Sequence, residues 1–392
     1  MSPITTLASY FASLPDPRIR RSRRHDLFDI LFIALCDTLC GAESFAEIAQ
    51  WGRSNQEWLK EWIPLTGGVP SHDTFGRVFA RLDPQEFATC FAAWTKALHQ
   101  RTDGEIISLD GKWLHGSFDK ATGSEAIKMV SAWAGSARLV LAQKRIPAGS
   151  NETATLPQLL KLLDISGCIV TIDAAGCQKA IAKQIVAKGG DYVLSLKGNQ
   201  ESIHESVADN FLDWEAKAWD IPFGLDRART VSKGHGRVEV RECFVVDAAD
   251  FIDVKGQWRG LRSIVMVKSE RRIGDKVTTD RRHFLTSLGG DGVAKRVMRA
   301  VRSHWGIENR LHWVLDVTYG EDKCRVRRGN GAQNVTVLRQ ITLNLLRQSP
   351  DKTMSVRMRR KRAGWESVYL EEMLSGIARN KPEDKPAEAN KL

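Results

Sequence analysis

From Ile106 to Asn199 the sequence alternates short apolar runs with turn residues, and the order of these runs is compatible with few folds. In order, the runs are IISLDG, AIKMVSAWA, ARLVLAQKRI, LPQLLKLLD, CIVTIDAAG, QKAIAKQIVAKGG and DYVLSLKGN. They predict three strands, a helix, a strand, a second helix and a last strand. Three leading strands with short turns indicate an antiparallel meander, and strands that alternate with helices indicate parallel additions to the same sheet. The predicted fold class is therefore α/β with a mixed sheet.

The segments around this sheet have different patterns. Residues 1–100 have a helical period and predict a small helical N-terminal domain. Residues 200–290 are polar and β-like with little helical period, which predicts a β-rich insertion into a domain of residues 101–350. Residues 351–392 form a basic C-terminal segment, and its Lys/Glu/Pro/Ala-rich end has the composition of a disordered tail.

The charge balance narrows the classes of partner. The 392 residues include 58 Lys and Arg against 47 Asp and Glu, which gives a net charge of +11 and favours a polyanion such as nucleic acid. No apolar run is long enough to span a bilayer, and the N-terminal charges follow the apolar part, unlike those of a secretory signal. Seven cysteines without a C-x-x-C pair are typical of reduced thiols. We expect a cytoplasmic protein with no membrane partner.

A second constrained stretch surrounds Glu308. The segment SHWGIENRLHWVLDVTYGEDKCR, from Ser303 to Arg325, has the periodicity of an amphipathic helix with Glu308 near the middle of its apolar stripe. That stripe consists of Val301, Trp305, Leu311, His312 and Leu315. A carboxylate removed from water without a partner is too costly to keep, so Glu308 is expected to be paired, protonated or bound to a metal ion.

Two more acids close apolar strands. Asp110 ends one strand before Gly111, and Asp173 ends another before Ala174. Strand ends of this kind line the functional crevice of α/β sheets, and two Asp with a helical Glu form a carboxylate cluster suited to hard divalent cations. Each acid also has an ordinary explanation, because strand-end Asp residues cap turns and a helical Glu often pairs with a base.

Two polar residues follow the last strand of the series. Lys197 and Asn199 belong to the turn SLKGNQ, and that strand should end beside the strand of Asp173. Both are candidates either for contact with a phosphate or for holding the turn in place.

Basic residues elsewhere suggest DNA contacts. A helix over residues 71–82 follows a Gly/Pro turn with Arg77 and Arg81 facing outward, and it is either a DNA-reading helix or a packing and dimerisation helix. Arg359 and Arg360 belong to the run VRMRRKRAGW, which is either solvated surface or a phosphate contact.

Three long motifs closely resemble those of the DDE transposases of bacterial insertion sequences, in the H-repeat-associated, ISAs-type branch. The motifs are SLDGKWLHGS, TIDAAGCQKAIAKQIVAKGGDYVLSLKGNQ and SHWGIENRLHWVLDVTYGEDKCRVRR. The stretches LPDPR, FAEIAQWG and VPSHDTFGRVFARLDP resemble the transposase-associated N-terminal domain of that family. The resemblance implies a ribonuclease-H-like core in which Asp110, Asp173 and Glu308 match the DDE triad.

The same resemblance implies a function. A transposase of this type binds the ends of its insertion sequence, cleaves DNA there by a two-metal mechanism with Mg²⁺ or Mn²⁺, and transfers the freed 3′ hydroxyl to target DNA. The expected partner is double-stranded DNA, and we expect a homodimer in the DNA complex and a bacterial, nucleoid-associated location. Two alternatives remain: a nuclease that cleaves without joining, and a catalytically silent DNA-binding protein.

One part of the family pattern is missing. The wider group carries a Tyr-x2-Arg-x3-Glu-x6-Lys signature around the Glu, but this chain has Val301, His304 and Leu315 at the three flanking places. The phosphate-handling roles of the signature residues therefore do not carry over. Candidates for replacing part of them as DNA contacts are Arg302, His304, Asn309 and His312.

Overall fold

The computed structural model describes residues 7–99, 102–120, 123–221, 224–234, 236–250, 256–349, 351 and 353–374. The chain divides into two compact units. The first unit comprises Met1–Leu98, Leu114–Ile127 and Val314–Leu392, and the second comprises His99–Trp113 and Lys128–Trp313. This division differs from the predicted domains, which follow chain order, because the C-terminal helices group with the N-terminal ones. The predicted disordered tail from residue 375 onward lies outside the described residues.

Most elements of the first unit are helices, and the second unit contains helices as well as strands. In chain order they are α1 (Leu7–Phe11), α2 (Leu27–Cys40), α3 (Phe45–Ser54), α4 (Gln56–Lys60), α5 (His72–Arg81), α6 (Pro84–Leu98), α7 (Glu152–Leu162), α8 (Lys179–Ala187), α9 (Glu201–Ala216), α10 (Val293–Ile307), α11 (Trp313–Thr318), α12 (Gly331–Gln348), α13 (Val356–Trp365) and α14 (Ser367–Leu374). Among the described residues, none of these helices has the length and hydropathy needed to cross a bilayer.

The strands form one mixed sheet. They are β1 (Ile106–Leu114), β2 (Ile127–Ala134), β3 (Leu139–Ile146), β4 (Ile169–Ile172), β5 (Asp191–Leu196), β6 (Asp226–Gly234), β7 (Arg237–Asp247), β8 (Ser263–Ile273) and β9 (Lys276–Thr286). Their order in the sheet is β3-β2-β1-β4-β5-β9-β8-β7-β6. The predicted series of strands and helices from Ile106 to Asn199 is confirmed, and so is the mixed α/β class.

The centre of the sheet brings two strand ends together. Strands β1, β4 and β5 are parallel, and every residue of β4 is buried, as expected for a parallel strand covered on both faces. Leu109 pairs with Ile172, so Asp110 and Asp173 come next at the same edge. Strand β1 itself continues to Leu114, beyond its pairing with β4.

The segment predicted as a β-rich insertion differs from expectation in two ways. It begins with a helix, α9, in which only Val207 and Phe211 are buried, so its helical period in the sequence is weak. The four strands after it extend the main sheet, because β9 pairs antiparallel with β5, and Val193 is the partner of Thr286. The acids Asp173 and Glu308 are thus separated in the chain by strands that lengthen the same sheet.

The helix predicted over residues 303–325 has other bounds. Helix α10 begins at Val293 and packs its apolar side against strands β4 to β7. A π-helical turn over Glu308–His312 follows, and α11 ends at Thr318. The sequence motif therefore covers only the end of α10, the π turn, α11 and the loop after it.

Helix α12 lies at the centre of the first unit. It packs against α2, α5, α6, α13 and α14, and all of its residues except Gln348 are buried. Because it is covered on all sides, its polar residues must bond inside the protein. Asn334, for example, is fully buried and donates to the backbone oxygens of Phe79 and Leu82 at 2.8 and 2.9 Å.

Candidate active site

The two strand-end aspartates and Glu308 line one pocket of the second unit. Asp173 follows β4 and accepts a hydrogen bond from the Ala175 N–H at 3.1 Å, so its carboxylate also caps a short 3₁₀ turn. Asp110 lies within β1, one residue after the last pairing with β4. The structure thus brings together the three acids that the sequence singles out, each from a different element.

Glu308 does not lie in a buried stripe, contrary to the sequence prediction. It is exposed and lines the pocket, and Trp305 of the predicted stripe is 46% exposed. The buried side of α10 instead passes through Val297, Ala300 and Ile307, so Trp305 and Glu308 project from another side of the helix. Leu311 and His312 remain buried. The carboxylate therefore needs no buried partner.

The carboxyl of Asp110 is electrostatically unusual. Burial, and after it the neighbouring carboxylates of Glu152, Asp173 and Glu308, raise its pKa to about 7, while a backbone hydrogen bond from Gly111 opposes that shift. Like charges near one site disfavour ionisation. Near neutral pH, Asp110 is therefore partly protonated in the protein alone.

Glu152 is a fourth acid at this site that the sequence analysis missed. It opens α7, which begins four residues before the predicted helix and is capped by Asn151. Its side chain is buried and pairs with Lys128, whose Nζ lies 3.2 Å from Glu152 Oε2. Burial and Asp173 raise the pKa of Glu152. The cap Asn151 was the available signal, since Asn followed by Glu is a common start of a helix.

Glycine at position 111 makes room for that carboxylate. A Cβ at Gly111 would collide with the Glu152 carboxylate and lie 3.2 Å from Lys128 Cε. Asp110 is thereby followed by the one residue type that lets the buried Glu152 pack against the strand.

Two histidines lie close to the aspartates. His304 lines the pocket, and its Nδ1 lies 3.0 Å from Thr171 Oγ1. Burial lowers the pKa of His304, while the charge of Asp173 opposes that shift. His312 Nδ1 lies 3.5 Å from Asp110 Oδ2, and burial lowers the pKa of His312 to about 3. The contact is therefore between a neutral imidazole and Asp110 rather than an ion pair.

The burial of His312 contradicts its assignment as a DNA contact. Only 8% of the residue is exposed. Its position beside Asp110 makes it a packing neighbour of the acid.

The other predicted contacts in the second unit are placed as follows. Lys197 lines the pocket with the three acids. Asn199 donates from Nδ2 to the backbone oxygen of Ala174, so it holds the turn that follows Asp173. Arg302 and Asn309 line an adjoining groove together with the exposed Trp305. The groove and the pocket share Trp305, so the predicted contacts flank the acids.

The predicted contacts in the first unit separate into two groups. Arg77 and Arg81 are exposed on α5, whereas Arg359 and Arg360 are 6% and 5% exposed. The Arg360 guanidinium donates to three backbone oxygens, and Arg359 Nη1 donates to that of Leu346 at 2.8 Å. Arg359 and Arg360 join helices and are not open to phosphate, so that part of the prediction is wrong.

The donor set of the pocket suits a hard divalent cation. Carboxylate oxygens are the ligands that Mg²⁺ and Mn²⁺ prefer, and after burial it is neighbouring carboxylates, Asp173 and Glu308 among them, that raise the pKa of Asp110. Within the described residues, no three Asp, Glu, His or Cys side chains already form a metal cage. The chemistry of the residues fits a metal ion, and its binding would require their side chains to converge.

Comparison with known proteins shows the family. The family described as Transposase DDE domain matches residues 82–345, and the one described as DDE_Tnp_1-associated matches residues 8–95. The chain is 38% identical over 379 residues to "Putative transposase YncI" of Escherichia coli O157:H7, covering 96% of each chain. It is 35% identical over 377 residues to "H repeat-associated putative transposase YhhI" of Escherichia coli (strain K12), covering 94% of this chain and 98% of that protein.

Among solved structures, the chain aligns with the piggyBac transposase in its synaptic complex with hairpin DNA. The TM-score is 0.41 and the identity 12%, over 98% of this chain and 83% of that chain. A score of that size does not by itself establish a shared fold. The sequence relationships establish the family without it: the chain belongs to the transposase DDE domain family, among the H repeat-associated transposases, with the DDE-associated domain at its N-terminus.

Proposed function

We propose that this chain is a DNA transposase that binds the ends of an insertion sequence, cleaves DNA there and joins the freed 3′ hydroxyl to target DNA. One observation carries the proposal: Asp110, Asp173 and Glu308, which come from a strand, a strand end and a helical turn, line a single pocket in a member of this family. An acidic pocket in a chain of net charge +11 suits a reaction on a polyanion.

We further propose a ribonuclease-H-like core. The proposal is supported by the order β3-β2-β1-β4-β5, in which β2 and β3 are antiparallel whereas β1, β4 and β5 are parallel. Strands β9 to β6 then continue this sheet between the second and third acids.

Asp110, Asp173 and Glu308 would hold magnesium or manganese, and two ions suit the reaction. Bound there, the ions would activate the attacking oxygen and stabilise the leaving oxygen of an in-line phosphoryl displacement. Asp110 must be ionised to serve as a ligand, so metal binding and proton release from Asp110 are coupled.

Other residues of the pocket have supporting roles in this proposal. Lys197 supplies a positive charge at the pocket for a DNA phosphate. Asn199 fixes the turn after Asp173 through the Ala174 oxygen. His304 positions the π turn over β4 through Thr171. We expect duplex DNA as the partner, a homodimer in the DNA complex, and action on the bacterial nucleoid.

The test is a cleavage and joining assay. The protein is incubated with duplexes that carry the ends of its own element, with target DNA and Mg²⁺, and the cleaved strands and joined products are mapped. We expect Asp110→Asn, Asp173→Asn and Glu308→Gln each to lower the cleavage rate by on the order of 10³-fold or more while DNA binding persists. The reason is that residues acting as one catalytic unit have non-additive effects, so the loss of any one of them removes most of the activity.

The matched control is Glu205→Gln, which removes an exposed carboxylate of α9 in the same unit. It should cleave like the wild type. Normal cleavage by Glu308→Gln would refute the assignment of the third acid. Cleavage without joined products would identify a nuclease, and binding without any cleavage would identify a silent DNA-binding protein.

A further inference from the structure

Exposed arginines are grouped in the first unit, around helix α5. Phe75, Val78 and Phe79 are buried on one side of this helix, whereas Arg77 and Arg81 are exposed on the other. Ser71 caps the helix by accepting from the Thr74 N–H. The helix thus presents arginines from a well-anchored position.

A distant loop is attached to the C-terminal end of α5. The Asn330 N–H donates to the Ala80 oxygen at 3.0 Å, and Asn330 Nδ2 donates to the Leu82 oxygen at 3.1 Å. Gly329 has a φ of +53°, and a Cβ there would collide with the Ala80 backbone. These bonds satisfy carbonyls that a helix end leaves unpaired. The loop before Asn330 is therefore held against α5.

That loop brings more arginines to α5. Arg325, Arg327 and Arg328 are exposed and line a groove together with Arg77. On the other flank of α5, Arg77 and Arg81 line a second groove with Arg24. Arg77 belongs to both grooves. We call the six residues Arg24, Arg77, Arg81, Arg325, Arg327 and Arg328 the α5 arginine surface.

The charges of this surface are largely uncompensated. Among the described residues, no carboxylate lines the groove that contains Arg24. The groove beside the loop contains Asp73 and Asp119, and Asp119 lies 3.9 Å from Arg327. Within the same described residues, no ion pair engages Arg24, Arg77 or Arg81. A surface with this excess of arginine attracts anionic partners.

The shape and composition of the surface favour duplex DNA over other anionic partners. Neither groove is lined by an exposed large apolar side chain within the described residues, whereas membrane-binding helices and the centres of protein interfaces both present such side chains. Arginine offers a planar fork of donors that matches phosphate oxygens. A ten-residue helix is about 15 Å long and fits the major groove, with its flanks facing the phosphate backbone.

We propose that the α5 arginine surface binds duplex DNA, with α5 between two rows of phosphate contacts and the Arg325–Arg328 loop supplying one row. The proposal rests on the proposed function for its substrate, but it concerns a different surface from the acidic pocket. It assigns three arginines of the third motif, Arg325, Arg327 and Arg328, to binding rather than to catalysis.

The test measures how salt weakens binding, without divalent metal. Each phosphate contact adds about 0.9 to the slope of log K against log salt concentration. The variant Arg325→Gln, Arg327→Gln, Arg328→Gln should flatten that slope by about 2 to 3 on an element-end duplex and on a random duplex alike. Arg77→Gln, Arg81→Gln should flatten it by about 1 to 2. Unfolding curves check that each variant is folded.

The control matched to Arg77→Gln, Arg81→Gln removes two exposed basic residues elsewhere in the first unit, by Lys60→Gln and Lys96→Gln. Its slope should equal that of the wild type. A wild-type slope for the loop variant would overturn the proposal, and so would tighter binding of single-stranded DNA than of the duplex. Failure of the proposed function would instead appear as intact binding without metal-dependent cleavage, so the two failures are distinguishable.

Discussion

At the scale of single residues, the carboxyl of Asp110 decides how the pocket responds to pH. It is surrounded by the carboxylates of Glu152, Asp173 and Glu308 as well as being largely buried. The only nearby imidazole that contacts it within the described residues, His312, is neutral because burial lowers the pKa of His312 to about 3. Without a bound cation, ionising Asp110 therefore costs folding free energy.

This cost predicts that Asp110→Asn stabilises the metal-free protein, and that the stabilisation depends on pH. The folded-state pKa of about 7 lies above the usual value of 3.8, so the folded state binds the proton more tightly than the unfolded state. Stability from this group is complete below about pH 4 and is lost as pH rises through 7. The amide side chain of the variant does not ionise, so the variant does not lose this stability as pH rises. Its Tm, measured with a chelator present, should exceed that of the wild type by more at pH 8 than at pH 5.

Each kcal/mol of stability corresponds to roughly 2–4 °C for a unit of this size. Asp209→Asn, which removes an exposed carboxylate of α9, is the control and should show no such trend. A difference in Tm that stays constant with pH would contradict the assigned pKa of Asp110.

At the scale of elements, the π turn that begins with Glu308 follows α10 directly. Gly306 stands just before this turn, and a Cβ built there meets no atom within 4 Å. Asn309 Nδ2 donates to the Trp305 oxygen at 3.0 Å across the turn. There is therefore free space beside Gly306, whereas the hydrogen bond from Asn309 holds the start of the π turn against the end of α10.

We predict that Gly306→Ala stabilises the protein by about 0.5–1 kcal/mol, because alanine loses less backbone entropy in a helix and there is room for its methyl group. The matched change is Gly52→Ala in α3, where the Cβ would lie 2.8 Å from Val69 Cγ1. Overpacking there should cost about 1–3 kcal/mol. Urea unfolding curves measure both. A destabilised Gly306→Ala would show that the π turn requires the freedom of glycine.

At the scale of the whole molecule, acidic and basic surfaces coexist in a chain of net charge +11. The three candidate catalytic acids line the pocket of the second unit, and the exposed arginines around α5 belong to the first unit. Metal binding and DNA binding should therefore be separable by mutation.

We predict that Mg²⁺ raises the Tm of the wild type and does much less for the variant Asp110→Asn, Asp173→Asn. A ligand that binds only the folded state stabilises it by about 2.7 kcal/mol at a concentration of 100 times Kd. The variant Arg77→Gln, Arg81→Gln should retain the full response, since it leaves the pocket intact. An equal response of the wild type and the double Asp variant would refute a shared metal site at the two aspartates.

Much of the fold and part of the site follow from local sequence. Strands β1, β4 and β5, helices α7 and α8, and the placement of Asp110 and Asp173 at one sheet edge follow from apolar runs and turn residues, which depend on neighbours in the chain. Helical periodicity singled out Glu308, and the motif similarity added the family and the match of the three acids to its triad. These features are predictable because periodicity and strand ends are local properties.

Only the tertiary structure decided the rest, because the deciding contacts join residues far apart in the chain. Packing against Lys128 and Gly111 brings Glu152 to the acids, and the packing of α10 on strands β4 to β7 leaves Glu308 at the pocket. Arg360 resembles its exposed neighbour Lys361 in the sequence, yet it is buried by carbonyls about 320 residues away at Thr38 and Ala42. A charge run does not reveal which of its members find partners, since burial depends on the surfaces that packing brings together.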